Sequence, residues 1–344
     1  MPELKLYTVT DLREWIMNNH PTRGLSEQVI APTRAWAIIH NPYVKDDDAI
    51  VAAIYEDGQL AAYTASFPDM LDGKRVWWAS TLYCYPQFAG RGYGMIMVGS
   101  LMEAHEPDLT YDRWGAKETV EIFNHFGYQT TYTFRYHLSN KKIDTSSFKG
   151  KLVYCLQSLK KCLHPWPKAS KVCYTLRYTS YIDGETYVFL QKHRRDNLWL
   201  RERDMLNWIL RYPFMHGCTL LNRVEKDTRF SSNVNLYEYN VVKVYSEEQM
   251  VGFYMLRENS KSLAITYLYY AEDYSRMVYT SIVDHIIAIK PQGFITEDKE
   301  LWAYVQQRLY FPKIWEEKVS LSLPTNQRGI TNFTFQLGDG DSFA

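Results

Sequence analysis

The chain has little cysteine and none of it in pairs. Its five cysteines (Cys84, Cys155, Cys162, Cys173 and Cys218) are odd in number, scattered, and never spaced as Cys-x-x-Cys. A disulfide framework needs paired cysteines, so reduced thiols in a cytoplasmic protein are expected. The nine histidines contain no His-Glu-x-x-His or comparable spacing, and no metal is expected. No apolar run approaches the length of a membrane span, and Met1-Pro2-Glu3-Leu4-Lys5 does not read as an export signal. Net charge is absent too: 39 basic residues balance 39 acidic ones, leaving no global field to attract nucleic acid. What is plentiful is material for burial, 46% hydrophobic and 15% aromatic over 344 residues, a length that suits two domains.

The densest signal is the run Cys84-Tyr85-Pro86-Gln87-Phe88-Ala89-Gly90-Arg91-Gly92-Tyr93-Gly94. Three glycines at alternate positions follow an apolar, aromatic strand pattern over Val76–Tyr83. They open a helix pattern carrying Ile96, Met97, Leu101 and Met102. This spacing leaves backbone N–H groups uncovered at a helix N-terminus, where the helix dipole also favours an anion such as pyrophosphate. No acidic residue lies between Asp72 and Glu103 to oppose one. A dinucleotide-binding turn needs βαβ context and an acidic residue about 20 positions on. Here Glu103, Glu106 and Asp108 come too early, and the preceding strands read as an antiparallel meander. A P-loop is excluded because no Gly-Lys-Ser/Thr closes the run.

The flanking sequence predicts an order of elements. A helix begins at Thr10 with a Thr cap, and a second spans about 26–40. Ala49–Tyr55 and Gln59–Phe67 form a hairpin around Asp57-Gly58. Lys74–Tyr85 is the next strand, followed by the glycine turn, a helix over 90–105, a strand over Leu109–Trp114, a helix over Ala116–Phe126 and a strand over Thr130–Leu138. This order and the turn together resemble the GNAT acyltransferase superfamily. Its pattern Val-x-Pro-x-x-Arg/Gln-Gly-x-Gly-x-Gly/Ala is met at Pro86, Gly90, Gly92 and Gly94, with Cys84 in the Val place and Ala89 where Arg or Gln is usual. The resemblance covers about 1–140. It implies an α+β fold, a mixed and mostly antiparallel sheet flanked by helices, with acetyl-CoA or another acyl-CoA as co-substrate. It also assigns cofactor contact to Leu82, Tyr83, Cys84, Ala89, Gly90, Arg91, Gly92, Tyr93 and Gly94. Phe123-Asn124-His125-Phe126-Gly127-Tyr128 resembles the family's Tyr-x-x-x-Gly-Phe segment, with Phe123 in place of the Tyr that protonates the leaving thiolate in many members.

Beyond 140 the composition shifts. No acidic residue occurs from Thr145 to Ile182, while Lys149, Lys151, Lys160, Lys161, Lys168 and Lys171 supply positive charge. Leu152, Leu156, Leu159 and Leu163 recur at helical spacing until Pro165 and Pro167 end the pattern. A basic amphipathic helix over 149–168 either packs its stripe between two domains, the expected case, or touches a membrane surface. From 173 the element order restarts: strand Cys173–Tyr181, helix Glu185–Leu210, hairpin Leu236–Tyr245 and Gln249–Arg257, strand Leu263–Tyr270, helix 274–289, strand Gly293–Thr296, helix Lys299–Leu309 and strand Lys318–Leu323. Residues 173–344 therefore read as a second GNAT-like domain in tandem, with 141–172 as linker. Its strand-to-helix junction, Ala271-Glu272-Asp273-Tyr274-Ser275, has no glycine and two carboxylates that repel pyrophosphate.

The resemblance implies acyl transfer to a small-molecule amine, and the balanced charge sets the expectation of no nucleic acid partner. Transfer passes through a tetrahedral intermediate whose oxyanion needs a donor, which the resemblance places on the backbone around Leu82–Cys84. With no acid between Asp72 and Glu103, the candidate proton carriers are Tyr83, Tyr85, His137 and, as a weaker choice, His125. Each also has a bland alternative as an ordinary sheet or surface residue. An amino sugar or surface-glycan precursor is one expected acceptor. The other readings are a non-catalytic acyl-CoA- or partner-binding module, kept open by Phe123, and an aminoacyl-tRNA-dependent enzyme, opposed by the balanced charge.

Overall fold

The computed structural model describes residues 1–18, 24–71, 73–113, 115–140, 151–152, 155–156, 159, 166–168, 173–194, 201–212, 237–259, 262–325 and 335–340. The first half runs β1 (Glu3–Thr8), α1 (Val9–Asn18), α2 (Pro32–Ile39), β2 (Ala49–Glu56), β3 (Gln59–Leu71), β4 (Lys74–Cys84), α3 (Tyr93–His105), β5 (Leu109–Arg113), α4 (Lys117–His125) and β6 (Tyr128–Ser139). The second repeats that order as β7 (Thr175–Thr179), α5 (Gly184–His193), α6 (Arg203–Arg211), β8 (Tyr237–Ser246), β9 (Gln249–Asn259), β10 (Ser262–Tyr270), α7 (Ser275–Ile289), β11 (Gly293–Thr296), α8 (Lys299–Arg308) and β12 (Lys313–Pro324).

Three local features differ from the sequence pattern. The edge strand β1 is additional; it is short, charged at Glu3 and Lys5, and holds its form by pairing with β2 from Glu3↔Tyr55 onward. The cap of α1 is Thr8, not Thr10: Thr8 N donates to Asp11 Oδ2 (2.8 Å) while Asp11 N donates back to Thr8 Oγ1 (3.2 Å), a reciprocal capping box. Thr10 instead donates to the Asp46 carbonyl. The region expected as one helix over Glu185–Leu210 is two, α5 and α6.

Among the described residues, twelve strands share one sheet in the order β1-β2-β3-β4-β5-β12-β6-β11-β10-β9-β8-β7. Most pairs are antiparallel; β4–β5 and β10–β11 are parallel. Read from either edge the order is the same repeat, save that the closing strands have changed places. β6 lies between β12 and β11, and β12 lies between β5 and β6, so each half is completed by the other. One face of the sheet carries a core continuous across both halves, in which Trp208 of α6 donates to the Ala37 carbonyl (2.7 Å) and packs on Phe67. The opposite face holds two separate cores, one under α3 and one under α7 and α8. The linker stripe does not pack between the halves: Leu152, Leu156 and Leu159 are 55%, 53% and 58% exposed. Leu163 lies outside the described residues. No helix among the described residues is long and apolar enough to cross a membrane.

Candidate functional site

The site begins where β4 and β5 part. They pair in parallel only from Val76↔Leu109 to Trp78↔Tyr111, and β4 then continues to Cys84. Between Ser80↔Ala65 and Tyr83↔Tyr63 the register with β3 shifts, so that Thr81 and Leu82 oppose Thr64 alone. This is a β-bulge, and Thr81 sits in it at φ +55°. A β-branched residue in left-handed backbone is a true outlier, costing about 1–3 kcal/mol, and such outliers gather at functional sites. Beyond Trp78 β4 therefore runs past its pairing with β5, while its other side stays registered on β3 at Ala79, Ser80, Tyr83 and Cys84.

Beyond Cys84 a short turn of 3-10 helix (Pro86–Phe88) leads into the glycines. Gly90 and Gly92 both have left-handed backbone, φ +80° and +76°, and a Cβ placed on either would meet nothing within 4 Å. Gly92 is the N-cap of α3, with no side chain capping the helix and no acid in the first turn. Gly94 serves packing instead, since a Cβ there would come within 3.0 Å of Ile122 Cδ1 and hold α3 away from α4. The turn thus offers a shaped, open N-terminus of the kind an anionic phosphate chain suits.

No protein-family model matches the sequence, and no curated relative does. Solved structures do. Over 94% of its length the chain is similar to a tandem GNAT protein from the clavulanic acid biosynthesis pathway, covering 98% of that chain with a TM-score of 0.52 and 11% identity. It is similar to a protein from Pyrococcus horikoshii described as an acetyltransferase (94% and 89% covered, TM-score 0.52, 10% identity). It is also similar to Saccharomyces cerevisiae N-myristoyltransferase with bound myristoyl-CoA and inhibitors (94% and 80%, 0.51, 12%). The chain has the tandem GNAT fold.

Within the first GNAT half, Tyr83 and Tyr85 come together. Their rings meet edge to face at 5.0 Å, and Tyr63 on β3 joins them at 5.6 and 6.5 Å. Both are half-buried against the core. Leu82, Cys84 and Tyr85 also pack on the core under α3, and burial pushes the Cys84 thiol up. Arg91 and Tyr93 are tied to Glu56 at the end of β2: Tyr93 Oη donates to Glu56 Oε2 (2.6 Å) and Arg91 to Glu56 Oε1 (2.5 Å). Ala89 is exposed.

His137 does not join this group. It lies on β6, with β5 and β12 between it and β4, which is three strand spacings or about 14 Å of sheet. There it bonds Glu317 Oε2 (2.9 Å) and stacks on Trp315. Burial lowers its pKa, against the pull of Glu317. Phe123 is fully buried and edge-on to Tyr128. Tyr128 brings a hydroxyl near that position, but burial raises its pKa to about 12 and the Thr110 backbone holds the hydroxyl. His125 is exposed.

The second GNAT half keeps the geometry and loses the turn. β10 and β11 pair only over Ser262–Ala264, and β10 has its own irregularity at Thr266. Its junction, Glu272–Tyr274, carries two acids and no glycine. Tyr267 and Tyr269 belong to the shared core, and Tyr270 and Tyr274 pack on the core under α7. Sequence reasoning missed Thr81. No pattern marks a bulge whose left-handed residue is a threonine.

Proposed function

We propose that the protein transfers an acyl group from acyl-coenzyme A to an amine, with the donor held in the first half. The open glycine turn above the parted strands β4 and β5 carries this reading. The donor supplies the thioester and the leaving thiol. The backbone N–H groups of Gly90–Gly94 hold its pyrophosphate, helped by the dipole of α3. The stretch of β4 over Leu82–Cys84, beyond its pairing with β5, aligns the amide chain and offers N–H groups to the thioester oxygen. Ala89 leaves the turn clear, while Glu56 fixes Arg91 and Tyr93 beside it.

Tyr83 and Tyr85 wall the reacting end and are the proposed proton carriers. Acceleration comes mainly from holding amine and thioester together, since the run from β4 into α3 has no carboxylate to act as base. The acceptor is a small-molecule amine, an amino sugar or surface-glycan precursor among the candidates. The exposed leucines of the basic linker support a peripheral contact with a membrane surface during such work. Phe123 favours a second reading, a non-catalytic acyl-CoA-binding module.

Thiol release from acetyl-CoA with a panel of amines, alongside calorimetry with coenzyme A, tests both. Coenzyme A binding with amine-dependent thiol release supports the enzyme. Binding without release from any amine, amino sugars included, favours the module. No binding removes both.

A further inference from the structure

Arg34 stands at an unfavourable place in its own helix. It is the third residue of α2, whose first turn has no acid, so the positive end of the helix dipole opposes its charge. Its side chain leaves the helix for β4, where Nη2 donates to Ser80 Oγ at 2.9 Å. Ser80 is buried, and it is the last residue of β4 in register with β3 before the bulge, paired with Ala65. The next residue is the left-handed Thr81. One guanidinium thus bonds the residue from which the bulge starts, just past the last pairing of β4 with β5 at Trp78.

The helix that carries Arg34 is anchored on the second half. Ala35, Ala37, Ile38 and Ile39 are buried in the core common to both halves, and the Ala37 carbonyl accepts from Trp208 of α6 (2.7 Å). Asn41, just past the end of α2, is buried and donates to the Pro68 carbonyl of β3 (3.0 Å). A hydrogen bond from a charged donor is about twice as strong as a neutral one. A strained residue persists only where its surroundings over-determine it. Here β3 fixes the register on one side, and Arg34 fixes Ser80 from α2. The irregularity of β10 in the second half is different. It lies at Thr266, which is not left-handed; its carbonyl accepts from Gly338 N (3.0 Å) and its hydroxyl donates to the Met255 carbonyl (3.1 Å).

We propose that Arg34 is a positioning residue for the transfer reaction: through Ser80 it holds the bulge of β4 in the shape that presents Leu82–Cys84 to the thioester. The role rests on the acyl-transfer reading and adds to it a residue that acts through β4 and not on a substrate. It also gives the second half a part in the chemistry of the first, because Trp208 anchors the helix from which Arg34 reaches.

Two variants of the full chain test this: Arg34→Met, which keeps an apolar stem and loses the donors, and Ser80→Ala, which loses the acceptor. Each should lower kcat for amine-dependent thiol release from acetyl-CoA by about tenfold or more, with KM for acetyl-CoA and calorimetric coenzyme A affinity within about twofold of wild type. The double variant should lose no more than the worse single one, since both groups act through one bond. In all three, the Thr81 Cα and Cβ chemical shifts should move from left-handed toward extended values. Arg13→Met, which removes a cation from α1 at its exposed pair with Asp46, should leave rate and shifts at wild type. The proposal is overturned if folded Ser80→Ala keeps the wild-type kcat, if the rate falls without movement of the Thr81 shifts, or if the losses multiply in the double variant. Ser80→Ala decides the matter if Arg34→Met does not fold. Should the wild type release no thiol with any amine, the transfer reading fails by itself, and the Thr81 shifts decide whether Arg34 holds the bulge.

Discussion

Arg201 and Asp69, one from each half of the chain, form an ion pair from which solvent is wholly excluded. Arg201 Nε donates to Asp69 Oδ2 at 2.8 Å, and both side chains are 0% exposed. Trp78 Nε1 donates to the same oxygen (2.9 Å), and Arg201 goes on to Tyr267 and to two carbonyls of the 335–340 segment. Burial opposes the charge on Arg201, but Asp69, Tyr267 and Asp339 outweigh it and the guanidinium stays protonated. Removing one member of such a pair strands the other's charge in the interior. Arg201→Met should therefore cost about 3–5 kcal/mol in urea unfolding, and the double variant with Asp69→Asn should recover part of the loss. Equal stability of wild type and Arg201→Met would show that the pair does not join the halves.

At the glycine turn, Gly92→Asp forces a side chain into left-handed backbone and places a negative charge at the start of α3. Coenzyme A affinity should fall more than tenfold by calorimetry. Gly58→Asp, in the hairpin turn at φ +78°, bears a like backbone penalty of about 1 kcal/mol away from the anion turn and should leave that affinity unchanged.

Thr81→Gly keeps the bulge and removes its left-handed strain. The gain, about 1–2 kcal/mol, is offset in part by the entropy of glycine, about 0.5–1 kcal/mol. Thermal melts should show a small stabilisation, with coenzyme A affinity within twofold of wild type. A clear destabilisation would mean that Thr81 is held by its side chain and not strained by its backbone.

His105 supplies a pH dependence. It is buried, stacked on Trp77 at 3.6 Å, and bonds the Ala49 carbonyl (2.8 Å). Burial lowers its pKa to about 4, from an ordinary value of 6.5. Because the folded pKa lies below the unfolded one, its share of stability is full above pH 6.5 and is lost as pH falls toward 4. Between pH 7 and pH 5 the loss is about 2 kcal/mol. Urea unfolding at the two pH values should show it, and His105→Asn should flatten the difference.

The linker leucines give the last expectation. Full-length protein should co-sediment with vesicles rich in phosphatidylserine and less with neutral phosphatidylcholine ones, and a Leu152→Ser, Leu156→Ser, Leu159→Ser variant should lose the binding. Sedimentation of the triple variant at the wild-type level would remove the membrane contact from this surface.

The amino-acid order alone was enough for the repeat, the glycine turn and the charge contrast between the two junctions. Each depends on neighbours in sequence: Asp57-Gly58 makes a hairpin locally, alternate glycines open a helix locally, and Glu272-Asp273 repels an anion wherever the chain goes. Only the tertiary structure decided how the halves join. The exchange of β6 and β12 is a pairing between residues some 185 apart, such as Tyr136 with Glu316 and Thr133 with Val319, and no local pattern encodes which strand a strand will neighbour. The same holds for the site. Tyr83 and Tyr85 meet because β4 leads directly from one to the other, whereas His137, equally plausible on one dimension, is carried away by the strand exchange. Thr81 becomes strained only once β3 fixes the register around it.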